Sequence, residues 1–136
     1  MAERVAQSMA AARGLTGIIF SSAATSREEI GNGMDRRAQL ALQQAGYRAD
    51  GHRARQITVD DIEHADLVIG MEPLHLDIMR RMVPDADNLA LMTDFDPEAI
   101  PGSGIDDPWW GPADKFGDTL EQIERAVAGL LATSLE

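Results

Sequence analysis

Cysteine is absent from all 136 residues. Disulfides, thiolate metal sites and thiol nucleophiles are therefore excluded for these residues. Basic residues are few, with 12 Lys and Arg against 23 Asp and Glu, and the formal charge is -11. Phosphate backbones and anionic bilayers reward basic patches, so neither nucleic acid nor a membrane is an expected partner. No run approaches the roughly 18 apolar residues of a membrane span. The opening Met1-Ala2-Glu3-Arg4 starts no long apolar leader, and a cytoplasmic location is the expectation. The three histidines, His52, His64 and His75, are too scattered for zinc-type spacing. No metal and no cofactor is expected. Aromatics make up 4% of the chain, so its two tryptophans, adjacent at Trp109 and Trp110, stand out.

What is present suits one soluble domain over residues 1–136, with 44% apolar and 26% charged residues. Residues 2–13 read as a helix with Val5, Met9 and Ala12 on one face. Gly14 and Gly17 end it, and Ile18-Ile19-Phe20 begins an expected strand running to Ala23. A second helix is expected from Asp35 to Gln44, ended by Gly46. Thr58-Val59-Asp60-Asp61 is a capping pattern that opens a short helix. Leu67 to Met71 forms a near-continuous apolar run, as in a strand covered on both faces. Pro73 suits the first turn of the following helix, with Leu74, Ile78 and Met82 at four-residue steps. Leu89 to Met92 is a third short strand. The last helix starts near Ala113 and aligns Leu120, Ile123, Val127, Leu130 and Leu131.

Alternating strands and helices imply an α/β three-layer sandwich around a short parallel sheet. In such folds the site lies beyond the C-terminal strand ends. Those ends are Ser21–Thr25, Met71–Pro73 and Thr93–Asp96, and the Pro-rich segment to Gly111 leaves from the same edge.

Asp107-Pro108-Trp109-Trp110-Gly111 is the most informative stretch. Proline holds the preceding aspartate in an extended or turn conformation. A carboxylate beside two large rings suits a general acid at the mouth of an aryl-accepting cleft, because apolar neighbours favour its protonated form. Taken alone, these five residues equally suit a turn whose tryptophans fill a satellite core. His64 and His75 read as surface helix residues, Glu72 as an N-cap, and Met79, Met82 and Met92 as core filler.

Four further blocks accompany that stretch: Ser22–Ser26, Ile30–Asn32 with Asp35 and Arg37, His52–Ile57, and Ala65–Glu72. In this order and spacing the chain resembles the low-molecular-weight protein-tyrosine phosphatases over nearly its whole length. The resemblance implies the phosphotyrosine-protein-phosphatase-I-like fold and phosphate monoester hydrolysis through a phosphocysteine. It matches Asp107 to the general acid and base, and Trp109 and Trp110 to the rings lining the substrate cleft. Ser22 and His52 match residues bracing the phosphate loop, and Asp35 with Arg37 a supporting polar pair. A phosphotyrosine protein or aryl phosphate is the implied substrate of a full-length form. Glu28 departs from an aromatic common in the family and disfavours an anionic substrate. Arsenate reductases share the fold but need cysteines that this chain lacks.

The family's Cys-x5-Arg-Ser loop and the strand before it have no counterpart here; Met1-Ala2-Glu3 matches residues just after that loop. The chain as given is therefore expected to be inactive and its sheet to miss the first, internal strand. Either the start has been assigned too far downstream, or the chain is a truncated paralogue acting as a binding or scaffold module. Losing a strand removes roughly ten ladder hydrogen bonds at about 1 kcal/mol each, which rivals a domain's stability of about 5–15 kcal/mol. Compensation is expected, by closing the sheet or by self-association through the gap.

Overall fold

The computed structural model describes residues 1–15, 17–25, 33–34, 36–49, 51, 55–100, 102–105 and 115–134. Five α-helices and two strands are formed within them: α1 (Ala2–Ala12), α2 (Arg36–Gln44), α3 (Val59–His64), β1 (Val68–Gly70), α4 (Pro73–Met82), β2 (Leu89–Leu91) and α5 (Lys115–Ser134). A 3-10 turn, Met92–Phe95, follows β2 directly.

The strands pair in parallel, with Val68 opposite Leu89, Ile69 opposite Ala90 and Gly70 opposite Leu91. Side chains alternate between the faces of a strand, and this alternation divides the core. Val68, Leu89 and Leu91 pack with Ile62, Leu76, Met79 and Val83 of the α3–α4 layer. Ile69, Met71 and Met92 point the other way, into the larger cluster of Val5, Leu42, Ile123, Val127 and Leu131 from α1, α2 and α5. The three expected layers are thus present.

Local chemistry sets the helix ends. Thr58 caps α3: its hydroxyl accepts from Asp61 N (3.1 Å), while the Asp61 carboxylate accepts from Thr58 N (2.8 Å). Asn88 donates to the carbonyls of Ile62 and Ala65 (2.8 and 2.9 Å), tying β2's start to the end of α3. Helix α5 buries all five of its expected residues, Leu120, Ile123, Val127, Leu130 and Leu131.

Three expectations need correction. Residues Ile18–Ala23 join no ladder among the described residues; their one neighbouring pairing is an isolated bridge between Ala24 and Gln56. A β-type run becomes a strand only where another strand meets its amide edge, and among the described residues none does. Ile19 is consequently 94% exposed, while Phe20 leans on the core. Helix α4 buries Leu76 and Met79, with Val83 just beyond its end, and leaves Leu74 exposed. On α1 the buried set is Val5, Ala6 and Ala10 rather than Val5, Met9 and Ala12.

Candidate active site

Strands β1 and β2 run parallel, so their C-terminal ends share one edge. β1 ends in the turn Met71-Glu72, where Pro73 starts α4; β2 ends in the 3-10 turn. A third segment comes to this edge from far along the chain. Ile105 N donates to the Met71 carbonyl at 2.6 Å, and the Ile105 side chain is buried in the larger core cluster.

Gly104 makes that approach possible. Its φ is +74°, in the region that glycine alone enters freely. A Cβ there would stand 3.0 Å from the Met71 carbonyl oxygen, 3.0 Å from Pro73 Cδ and 3.1 Å from Glu72 Cα. Segment 102–105 therefore lies directly on the β1–α4 turn, two residues ahead of Asp107.

The turn is itself held from within. His75 Nδ1 accepts from the amides of Met71 and Glu72, each at 3.2 Å. The His75 amide in turn donates to the Glu72 carbonyl at 3.0 Å. Glu72 is the N-cap, as expected. His75, expected to be a surface residue, is half-buried and points back into the turn. His64 is exposed at the end of α3 with its Nδ1 2.9 Å from the Asp60 carbonyl.

Ser22 donates its hydroxyl to Glu3 Oε2 at 2.6 Å, joining the segment before Ala24 to the first turn of α1. Arg37, in the first turn of α2, lays its guanidinium over the Phe116 ring, 4.7 Å from its centre. Phe116 is the second residue of α5, so this contact fixes the start of α2 against the start of α5. Asp107, Trp109, Trp110, His52 and Asp35 lie outside the described residues, as does Glu28. The described structure thus brings the flanks of the Asp107 stretch, Ile105 and Phe116, onto the fold without bringing the expected site residues together.

Behind this edge, Asp96 is buried; its Oδ1 accepts from Glu98 N (2.9 Å) and its Oδ2 from Arg125 Nε (3.2 Å). The pair locks the end of the 3-10 turn to α5. Among the described residues no group of three or more His, Asp or Glu side chains could hold a metal ion. None of the described helices is long and apolar enough to cross a membrane.

Sequence reasoning missed Gly104 and His75. Their signals were present: glycines at 102 and 104 flank the lone Ser103, and an acceptor side chain three residues after an N-cap is a capping-box pattern.

Comparison with known proteins converges on one family. The model for "Low molecular weight phosphotyrosine protein phosphatase" matches residues 1–136. The low molecular weight protein-tyrosine-phosphatase of Streptomyces coelicolor is 36% identical over 142 residues, covering 100% of this chain and 85% of that protein. Low molecular weight protein-tyrosine phosphatase A of Mycobacterium tuberculosis is 30% identical over 132 residues, covering 96% of this chain and 80% of that one. Among solved structures, YfkJ from Bacillus subtilis superposes with a TM-score of 0.88 at 26% identity, covering 97% of this chain and 83% of its own. Primo-1 superposes with a TM-score of 0.89 at 28% identity, covering 99% and 89%. With a family match from the first residue to the last and a shared parallel-sheet fold, this chain belongs to the low molecular weight phosphotyrosine protein phosphatases.

Proposed function

We propose that these residues supply the leaving-group and aryl-binding side of a tyrosine-phosphatase site. Asp107 is its general acid and base, and Trp109 and Trp110 are the walls of its ring cleft. The observation that supports this reading is the anchoring of Ile105, two residues before Asp107 in the sequence, on the Met71 carbonyl at the C-terminal edge of the sheet. Phosphotyrosine proteins or aryl phosphates are the substrate class, and the cytoplasm is the proposed location. In the reaction, Asp107 gives a proton to the departing phenolate and then takes one from the water that cleaves the phosphoenzyme. Ser22 and His52 brace the phosphate site, and Asp35 with Arg37 supports it from behind.

The 136 residues contain no cysteine, so the attacking thiolate of that reaction is not among them. By themselves they should not turn over aryl phosphates. The test compares two proteins against para-nitrophenyl phosphate: the chain as given, and the chain with a strand and Cys-x5-Arg-Ser loop joined ahead of Met1. The first should be silent and the second active. Asp107→Asn in the active form should cost roughly 10²- to 10⁴-fold in kcat, as expected of a lost acid–base group. An Asp107→Asn variant as fast as its parent would remove Asp107 from the role.

The same lack of cysteine favours a second reading, a non-catalytic binding or scaffold module. Self-association belongs with it: Ile18 and Ile19, 41% and 94% exposed, form a β-type run that joins no ladder among the described residues. Silence of both proteins above, with retention of a specific protein partner, would favour this reading.

A further inference from the structure

His75 has no part in the reaction just described, yet it is wired to the segment that leads into Asp107. Its Nδ1 is 3.2 Å from both the Met71 and the Glu72 amides. A ring nitrogen that accepts from N–H groups carries no proton, so the imidazole is the Nε2–H tautomer. Gly70 makes room for the ring to fold back: a Cβ on Gly70 would stand 3.1 Å from His75 Cβ and 3.1 Å from Leu76 Cδ2. The Met71–Glu72 peptide is thus held from both sides: its N–H, on Glu72, donates to His75, and its carbonyl, on Met71, accepts from Ile105 N. Pro73 Cδ and Glu72 Cα, in the same turn, form the surface against which Gly104 lies.

We propose that His75 is a positioning residue: by clamping the Met71 and Glu72 amides it fixes the take-off of the chain at Gly104–Ile105, two residues before Asp107 in the sequence. The proposal rests on the reading of Asp107 as the acid, but its mechanical half can be tested without catalysis. A first-turn histidine with only a capping role would stabilise α4 and leave segment 102–105 indifferent. A clamp acts on that segment selectively. Replacing His75 by alanine leaves two amides to water and frees the turn to shift. Replacing it by asparagine puts an acceptor oxygen back near the position of Nδ1.

The test uses the 136-residue chain itself. Amide hydrogen exchange is followed residue by residue in wild type, His75→Ala and His75→Asn. Acrylamide quenching is followed in parallel, because the two tryptophans lie five and six residues beyond Gly104. In His75→Ala, protection of the Ile105 amide should fall roughly five- to tenfold, about one net hydrogen bond's worth. Tryptophan quenching should rise, and protection at Val127 and Leu131 in α5 should stay unchanged. His75→Asn should recover most of the loss at Ile105. An unchanged Ile105, an equal loss at every amide, or an asparagine no better than alanine would each overturn the proposal. Should the alanine variant fail to fold, ring ¹⁵N shifts of wild-type His75 decide the matter. An Nε2–H tautomer with an unprotonated Nδ1 supports the clamp, and an Nδ1–H tautomer ends it. Failure of the phosphatase assay with a normal exchange result would remove the catalytic reading and leave the clamp standing.

Discussion

Gly129 is the tighter of the two glycines in α5. A Cβ built on it would run into the Phe95 carbonyl oxygen at the end of the 3-10 turn. Helix α5 and that turn meet backbone to backbone, and only a residue without a side chain permits it. Gly129→Ala improves helix propensity by about 1 kcal/mol. Separating two packed backbones costs more, typically 1–3 kcal/mol and at times above that, as in other overpacked cores. The net expectation is a loss of up to about 2 kcal/mol, read as a lower urea midpoint with an unchanged slope. A midpoint at or above that of wild type would show that the turn gives way freely.

Asp61 is a residue whose charge matters in the first turn of α3. The hydrogen bond from Arg55 Nη1, at 2.8 Å, holds its carboxyl below the ordinary value near 3.8, with help from the Thr58 amide. A depressed acid releases its proton more readily in the folded state, so its stabilising contribution is complete above the ordinary value. That contribution disappears as pH falls through the lower, folded one. Stability of wild type should therefore drop below pH 4 more steeply than that of Asp61→Asn. Thermal melts of the two proteins across the acid range would show parallel curves if Asp61 carried no such linkage.

Between elements, the tie of α2 to α5 rests on few groups. Leu42 is fully buried between them, and just past the end of α2 the Tyr47 hydroxyl donates to Glu124 Oε2 at 2.6 Å. Burial and that carboxylate push the phenol up to about 12. The sign is opposite to that of Asp61. The folded state keeps its proton where the unfolded chain, near 10, has lost it, so stability falls as pH rises between about 10 and 12. Tyr47→Phe should abolish that alkaline loss. Near neutral pH it should cost about 1 kcal/mol, below the usual range for a hydrogen bond to a charged group, because the site is partly open to water. A Tyr47→Phe protein with an unaltered alkaline limb would assign the linkage elsewhere.

Elements differed in how far the sequence announced them. Helix α5 was legible because one stripe alone is apolar: Leu120, Ile123, Val127, Leu130 and Leu131 leave no competing face. The cap at Thr58 was legible because its bonds are local. Helix α4 carries two apolar stripes, Leu74–Ile78–Met82 and Leu76–Met79–Val83. The second is chosen because it faces β1 and β2, a fact of the sheet and not of the helix. The run Ile18–Phe20 has every local mark of a strand, but strand formation is a property of a pair. At the site, the aromatic acid stretch was recognisable from residue type. The left-handed Gly104 depends on contacts with residues some thirty positions away, whereas the bonds of His75 reach only three and four positions and show in the sequence as a capping pattern.

At the scale of the whole molecule, two quantities oppose each other. The net charge of -11 drives copies apart. The exposed Ile18 and Ile19, on a segment outside any described ladder, draw them together, since an open β-type edge is a template for another chain. Salt decides which prevails. The screening length shrinks from about 30 Å at 0.01 M to about 10 Å at 0.1 M salt. Repulsion between acidic copies is therefore largely removed over that range, while burial of apolar surface is not weakened. The proposed self-association should grow with salt, the reverse of what an interface built on ion pairs would do. Sedimentation velocity at rising protein concentration and at both salt levels measures this directly. Wild type should sediment faster with concentration at the higher salt and remain monomeric at the lower. Ile19→Lys, placed where the side chain is almost fully in water, should leave the fold's melting temperature unaltered and keep the protein monomeric throughout. A wild-type protein that stays monomeric at every concentration and both salt levels would mean that the Ile18–Ile19 edge is satisfied within one chain.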